Sequence, residues 1–241
     1  MTRRFHAVLF DLDDTLYSRR GAFAAWTDAY LADTLRLTDP AEAAEVRALI
    51  HALDLNGYGS KQAIFERLHA EYPALPGHPA RSLETFFAEF LTHVRPEPAT
   101  EALLDALARN TFPFGVITNG SHRQWRKLDA LGLPARTDCL FVSETFGTKK
   151  PDPAIFHAAA AHLRTRPEHI LFVGDNPALD IVGAQAVGMA AAWLPRDQLW
   201  PDEIDTRPDF VLDTLADVAG ILELDGAERG RIVGRQWRQT Q

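Results

Sequence analysis

Six short apolar runs punctuate the chain, at residues 5–10, 114–118, 139–142, 170–173, 189–194 and 210–212. The first five are almost continuously apolar, with no polar residue at every second position. Strands buried on both faces read this way, and the pattern predicts a parallel sheet covered by helices on both sides. From residue 114 onward helical patterns separate the runs, as repeated βα units require. Asp152-Pro153 and Asn176-Pro177 each put a capping side chain ahead of a proline at the first helical position, predicting helices over 154–163 and 178–187. Gly188 ends the second.

About 100 residues separate the first two runs, whereas a βαβ unit needs only about 30, so a lobe is inserted there. It reads as helical throughout. Phe23, Trp26 and Tyr30 form one apolar stripe, and Val46, Leu49, Ile50 and Leu53 a second. Ile64, Phe65 and Leu68 form a third, and Leu83, Phe86, Phe87, Phe90 and Leu91 a fourth. Pro73, Pro76, Pro79, Pro96 and Pro98 mark its turns. The expected division is a core of residues 1–16 and 98–224, a helical insertion over 17–97 and a tail over 225–241. The expected class is α/β, a doubly wound, Rossmann-like parallel sheet with an inserted α-helical domain.

In an open parallel sheet, ligands sit beyond the carboxyl ends of the strands. Those ends carry Asp11-Leu12-Asp13-Asp14-Thr15, Thr118-Asn119-Gly120-Ser121 and Gly174-Asp175-Asn176, with Asp180 soon after, while Lys150 precedes a helix in Lys149-Lys150-Pro151-Asp152-Pro153. If the first and fourth strands are neighbours, Asp11, Asp13 and Asp175 crowd together and need a counter-charge. Oxygen-only ligands suit Mg²⁺, and Thr118 and Lys150 then make sense as phosphate holders.

These four segments, in this order and strand context, resemble the motifs of the haloacid dehalogenase superfamily. The resemblance covers nearly the whole chain. It lies with the phosphatases that carry a helical cap after the first strand, the branch containing pyrimidine 5′-nucleotidases and flavin mononucleotide phosphatases. It implies that Asp11 attacks phosphorus and becomes an aspartyl phosphate. Asp13 would protonate the departing oxygen and then take a proton from water, with a pKa expected to be raised by its anionic surroundings. Thr118 and Lys150 would hold the phosphoryl oxygens, with Asn119 and Gly120 also on the substrate side. Mg²⁺ would be held by the Asp11 carboxylate, the Asp13 backbone carbonyl and Asp175, and Asp180 would orient Lys150 or a metal-bound water. The superfamily's dehalogenases lack a carboxylate two places after the nucleophile, because a halide leaves unprotonated. Asp13 therefore favours phosphatase chemistry.

Other features are read more plainly. Phe23, Trp26, Phe86 and Phe87 are expected to pack, the nine histidines form no ligand pair, and Asp14 caps a turn. Asn56-Gly57-Tyr58-Gly59 is expected to form a mobile hairpin whose Tyr58 could touch the leaving group, and Tyr17, with Arg19 and Arg20, is a comparable candidate.

Composition narrows the setting. With 46% hydrophobic and 24% charged residues the chain reads as soluble and globular, and its N-terminal apolar run is too short for a signal peptide. One cysteine, Cys139, excludes an intrachain disulfide and a cysteine-rich zinc site and fits a cytoplasmic setting. A net charge of −8 disfavours nucleic acid and anionic membranes. Arg229, Arg231, Arg235 and Arg238 read as a solvated tail. The expected partner is a small phosphorylated metabolite, the expected state a monomer or homodimer. A phosphoacceptor signalling module, resembling response-regulator receivers, is the alternative from another class; the insertion and Asp13 weigh against it. A non-catalytic scaffold is a third, opposed by the intact acidic set.

Overall fold

A computed structural model describes residues 3–75 and 77–225; Pro76 and the arginines of the tail lie outside the described residues. Strands β1 (Ala7–Phe10), β2 (Phe114–Thr118), β3 (Leu140–Val142), β4 (Ile170–Gly174), β5 (Ala190–Trp193) and β6 (Phe210–Val211) form one sheet. Every pairing is parallel, and the order is β3-β2-β1-β4-β5-β6. All residues of β1, β2, β4 and β5 are buried, which is why these segments show no alternation. Burial outlasts pairing at the strand ends: Phe5, Met189 and Leu194 are buried yet lie outside the strands, so the apolar runs are longer than the ladders.

The chain separates into two compact units, residues 1–18 with 96–241, and residues 19–95. The second unit holds α1 (Arg19–Ala29), α2 (Pro40–Asp54), α3 (Lys61–Glu71) and α4 (Pro79–Leu91). Its centre is Trp26, whose ring lies 4.6 Å from Phe86, 5.1 Å from Tyr30 and 5.5 Å from Phe23, with its indole N–H on Glu89 at 3.1 Å. The aromatic stripes thus converge as packing. The segment after α2, expected as a mobile hairpin, is tied down by side-chain and backbone bonds. The Asp54 carboxylate accepts from the Gly57 N–H at 2.9 Å, from both Arg19 guanidinium nitrogens at 2.9 Å, and pairs with Lys61 at 2.6 Å. The Gly59 N–H donates to the Asp54 carbonyl at 2.8 Å. A side chain at Gly59 would collide with the Leu53 carbonyl, so glycine here serves close approach, not looseness. Leu55 and Tyr58 remain exposed on this tied loop.

In the first unit α5 (Pro98–Arg109), α6 (Gln124–Ala130), α7 (Ser143–Phe146), α8 (Pro153–His162), α9 (Gly183–Ala186) and α10 (Asp217–Ile221) surround the sheet. Ile155, Phe156 and Ala159 of α8 and Ala184 of α9 pack with Ala7, Leu9 and Phe172 of the central strands. The Asp152 carboxylate caps α8 through the Ala154 N–H at 2.8 Å, as the Asp-Pro pair predicts. The single regular helix expected over 178–187 is not found. Asn176 caps the segment, but its carbonyl accepts from both Asp180 and Ile181, and the chain makes a wide π-type turn over Pro177–Val182 before α9. No helix among the described residues is long and apolar enough to cross a membrane.

Burial pushes the Asp54 carboxyl up, but Arg19 and Lys61 outweigh it and hold the pKa below the usual value. Asp54→Ala removes the carboxylate shared by buried Arg19, partly exposed Lys61 and the Gly57 N–H, and should cost about 3 kcal/mol in urea unfolding. Because the folded pKa is depressed, the difference between wild type and variant should be full above about pH 4 and shrink as pH falls through the folded value.

Candidate active site

Asp11 and Asp175 leave the carboxyl ends of two adjacent strands. Phe10 pairs with Val173, and the Asp11 N–H continues the ladder to the Val173 carbonyl at 2.9 Å, so both acids emerge at one edge. The π-type turn brings a third: Asp180 is almost fully buried, and its carboxylate accepts from the Asn176 N–H at 3.0 Å. A wide turn at a functional position is a recurring use of this geometry. Carboxylate oxygens of Asp11, Asp175 and Asp180 lie within 4.8 Å of one another.

Lys150 enters this group fully buried, its Nζ 2.6 Å from Asp11 and 2.7 Å from Asp180. Burial works against the ammonium, yet the two acids outweigh it and raise its pKa above the ordinary lysine value. Three carboxylates against one ammonium still leave two negative charges when all are ionised. Burial, opposed by Lys150 and reinforced by Asp180 and Asp13, pushes Asp11 up to about 7. Burial with Asp11, Asp180 and Asp14 pushes Asp175 up to about 8. The unbalanced charge and the all-oxygen donor set fit a hard divalent cation.

Asp13 is outside this group and its environment is opposite. Its Oδ1 pairs with Lys127 at 2.6 Å and accepts from the Tyr17 hydroxyl, while Oδ2 accepts from the Gln124 amide at 2.6 Å. Burial alone would raise it, but Lys127, Tyr17 and Gln124 hold it down at about 2. The expectation of a raised pKa is therefore wrong: the nearest charge is a lysine 114 residues away in sequence. Thr118, at the end of β2, accepts from Gln124 at 2.6 Å, leaving its hydroxyl proton to donate.

A family model for haloacid dehalogenase-like hydrolases matches residues 5–188. The chain belongs to that family. It is 32% identical over 224 residues to a glyceraldehyde 3-phosphate phosphatase of Methanopyrus kandleri, covering 86% of this chain and 92% of the relative. It is 29% identical to the pyrimidine 5′-nucleotidase YjjG of Escherichia coli, covering 78% and 84%. Among solved structures, the family's YfnB from Bacillus subtilis superposes with a TM-score of 0.71 at 23% identity, over 92% of this chain and all of that one. A 2-haloacid dehalogenase of Pseudomonas syringae superposes with a TM-score of 0.55 at 28% identity, over 91% and 98%.

Several of the residues expected at the site of this hydrolase make bracing contacts. The Asn119 side chain exchanges two 2.9 Å hydrogen bonds with the Lys150 backbone, and the Gly120 N–H donates to the Ser143 hydroxyl at 3.0 Å. Both were expected on the substrate side; in the structure the Asn119 side chain braces the Lys150 backbone and the Gly120 N–H is taken by Ser143. Tyr17 joins the core unit through Asp13, whereas Tyr58 belongs to the insertion. Asp14, read as a turn cap, is buried and near enough to Asp175 to raise its pKa. Gln124 and Lys127 had no signal beyond their polar spacing of three on a helix that also buries Leu128.

A Cβ at Gly174 would collide with the Asp180 carboxylate. Gly174→Ala should therefore displace Asp180 from Lys150 and cost roughly 1–3 kcal/mol in denaturant unfolding, with a stability equal to wild type counting against this packing.

Proposed function

We propose that this hydrolase is a Mg²⁺-dependent phosphatase acting on small phosphomonoesters through an aspartyl phosphate at Asp11. The observation that carries the reading is the crowded set Asp11, Asp175, Asp180 and Lys150 at one sheet edge, two residues from the separately held Asp13. Asp11, Asp175 and the Asp13 backbone carbonyl are the proposed Mg²⁺ ligands, with Asp180 bordering them and holding Lys150. The ion, when bound, supplies charge neutralisation for an incoming phosphate.

An Asp11 carboxylate oxygen attacks phosphorus, the ester P–O bond breaks, and the Asp13 carboxyl gives its proton to the leaving oxygen, releasing an alcohol. Water then attacks the phosphoryl group, its proton passes to Asp13, the Asp11–phosphorus link breaks and inorganic phosphate leaves. Asp13 regains the proton it gave. Lys150 and the Thr118 hydroxyl face the phosphoryl oxygens, where charge concentrates in the loose transition state.

The relatives' names support the substrate class. They include phosphatases of glyceraldehyde 3-phosphate, of phosphoserine and of ribulose 1,5-bisphosphate, and a pyrimidine nucleotidase, all acting on small phosphorylated molecules. Asp13 supports ester hydrolysis over halide displacement, since an alkoxide needs a proton and a halide does not.

A panel of triose, amino-acid and nucleoside monophosphates assayed with Mg²⁺ and again with EDTA tests the reading. Turnover should need the metal. Asp11→Asn should abolish it, and Asp13→Asn should reduce it about 10²–10⁴-fold; near-native activity in either removes the mechanism. Calorimetric Mg²⁺ affinity should weaken as pH falls from about 8 through 7, because Asp175 and Asp11 take up protons there and a protonated carboxyl ligates poorly. A pH-independent affinity counts against these ligands.

A further inference from the structure

The Asp13 carboxylate is held by three donors, two of them from a helix more than 100 residues away in sequence. Lys127 and the Tyr17 hydroxyl converge on Oδ1, and the Gln124 amide sits on Oδ2. Gln124 and Lys127 come from α6, one helical turn apart, so the helix grips both oxygens of one carboxylate. Gln124 is buried and makes a second bond with the same amide nitrogen, to the Thr118 hydroxyl at 2.6 Å, tying the acid to the residue placed to hold phosphate. Room for it depends on Gly120: with φ +152°, a Cβ there would stand 2.7 Å from Gln124 Cγ. Lys127 is largely buried, its side chain 15% exposed, so its charge reaches Asp13 with little screening.

A carboxylate offers about four lone-pair positions. Two donors occupy Oδ1 and one occupies Oδ2, which points to Oδ2 as the oxygen that serves the leaving group and then the water. Without the grip on Oδ1 the group could turn about its terminal torsion, which is broad and roughly two-fold, and lose that aim.

We infer that Lys127 and Gln124 are positioning residues for the proton step, acting through Asp13 and not on the phosphoryl group. The inference rests on the phosphatase reading above. It gives α6 a duty in catalysis, and it separates Lys127 from Lys150: Lys150 belongs with the nucleophile, Lys127 with the proton.

The experiment compares kcat/KM for an aryl ester, 4-nitrophenyl phosphate, whose leaving group needs little protonation, with that for an alkyl ester, glycerol phosphate. Lys127→Met should lower kcat/KM for the alkyl ester about 30-fold or more and for the aryl ester less than about fivefold, with the inhibition constant of inorganic phosphate within threefold of wild type. Lys127→Arg, which keeps the charge and the donors, should restore most of the alkyl rate. Where the Met variant lacks a cooperative melt, Lys127→Gln serves the same comparison. Equal losses for both esters, a loss confined to phosphate affinity, or no loss overturns the inference. Failure of the phosphatase reading looks different: the wild type then turns over neither ester with Mg²⁺, and the inference falls with it.

Discussion

Mutual repulsion among buried carboxylates is the constraint around which the core is built. The order β2-β1-β4 puts the ends of β1 and β4 side by side, so Asp11 and Asp175 cannot avoid each other. The chain adds Asp180 instead of diluting the charge, through a turn wide enough to point it back at the same spot. Lys150 relieves part of the strain, and its backbone is fixed by Asn119, so the relief is positioned as well as present. Asp175 is steadied through its own carbonyl, which accepts from the Trp193 indole at 2.8 Å. Groups so arranged are costly until a cation or substrate completes them, which is the usual signature of a working site and not of a stabilising one.

Two carboxylates two residues apart are driven in opposite directions. Burial, with help from Asp180 and against Lys150, pushes Asp11 up to about 7, whereas Lys127, Tyr17 and Gln124 overcome burial and hold Asp13 down at about 2. Divergent environments are how one protein separates nucleophile from acid and base. The contacts favour the ionised Asp13; in the mechanism proposed above that is the form that takes a proton from water, and giving a proton first would require an incoming phosphate to offset the field of Lys127.

Much of the fold was legible because buried parallel strands announce themselves as uninterrupted apolar runs, and the candidate site residues Asp11, Thr118 and Asp175 follow their ends, while Lys150 was singled out by its place before the capped helix at Asp152-Pro153. What was not legible depends on contacts that no local pattern encodes. The lysine that sets the state of Asp13 lies 114 residues on, reached only because β2 neighbours β1. The hairpin at Asn56-Gly57-Tyr58-Gly59 reads as loose because glycine signals freedom and close approach alike. Arg19, 35 residues from Asp54, decides between them. At 178–187 good helix formers concealed a backbone bond to the fifth residue.

The insertion interrupts the core beside its most demanding loop, which raises the question of how that loop keeps its shape. Arg196, from the connection after β5, supplies an answer. Its guanidinium donates to the Asp14 carbonyl at 2.9 Å and to the Glu97 carboxylate at 2.9 and 2.8 Å, with a longer contact to the Thr15 carbonyl. One planar fork thus fastens the chain just before it leaves the core to the chain just after it returns. Tyr17, Gln124, Lys127 and Arg196 all belong to the core unit, so the geometry of Asp13 is determined there.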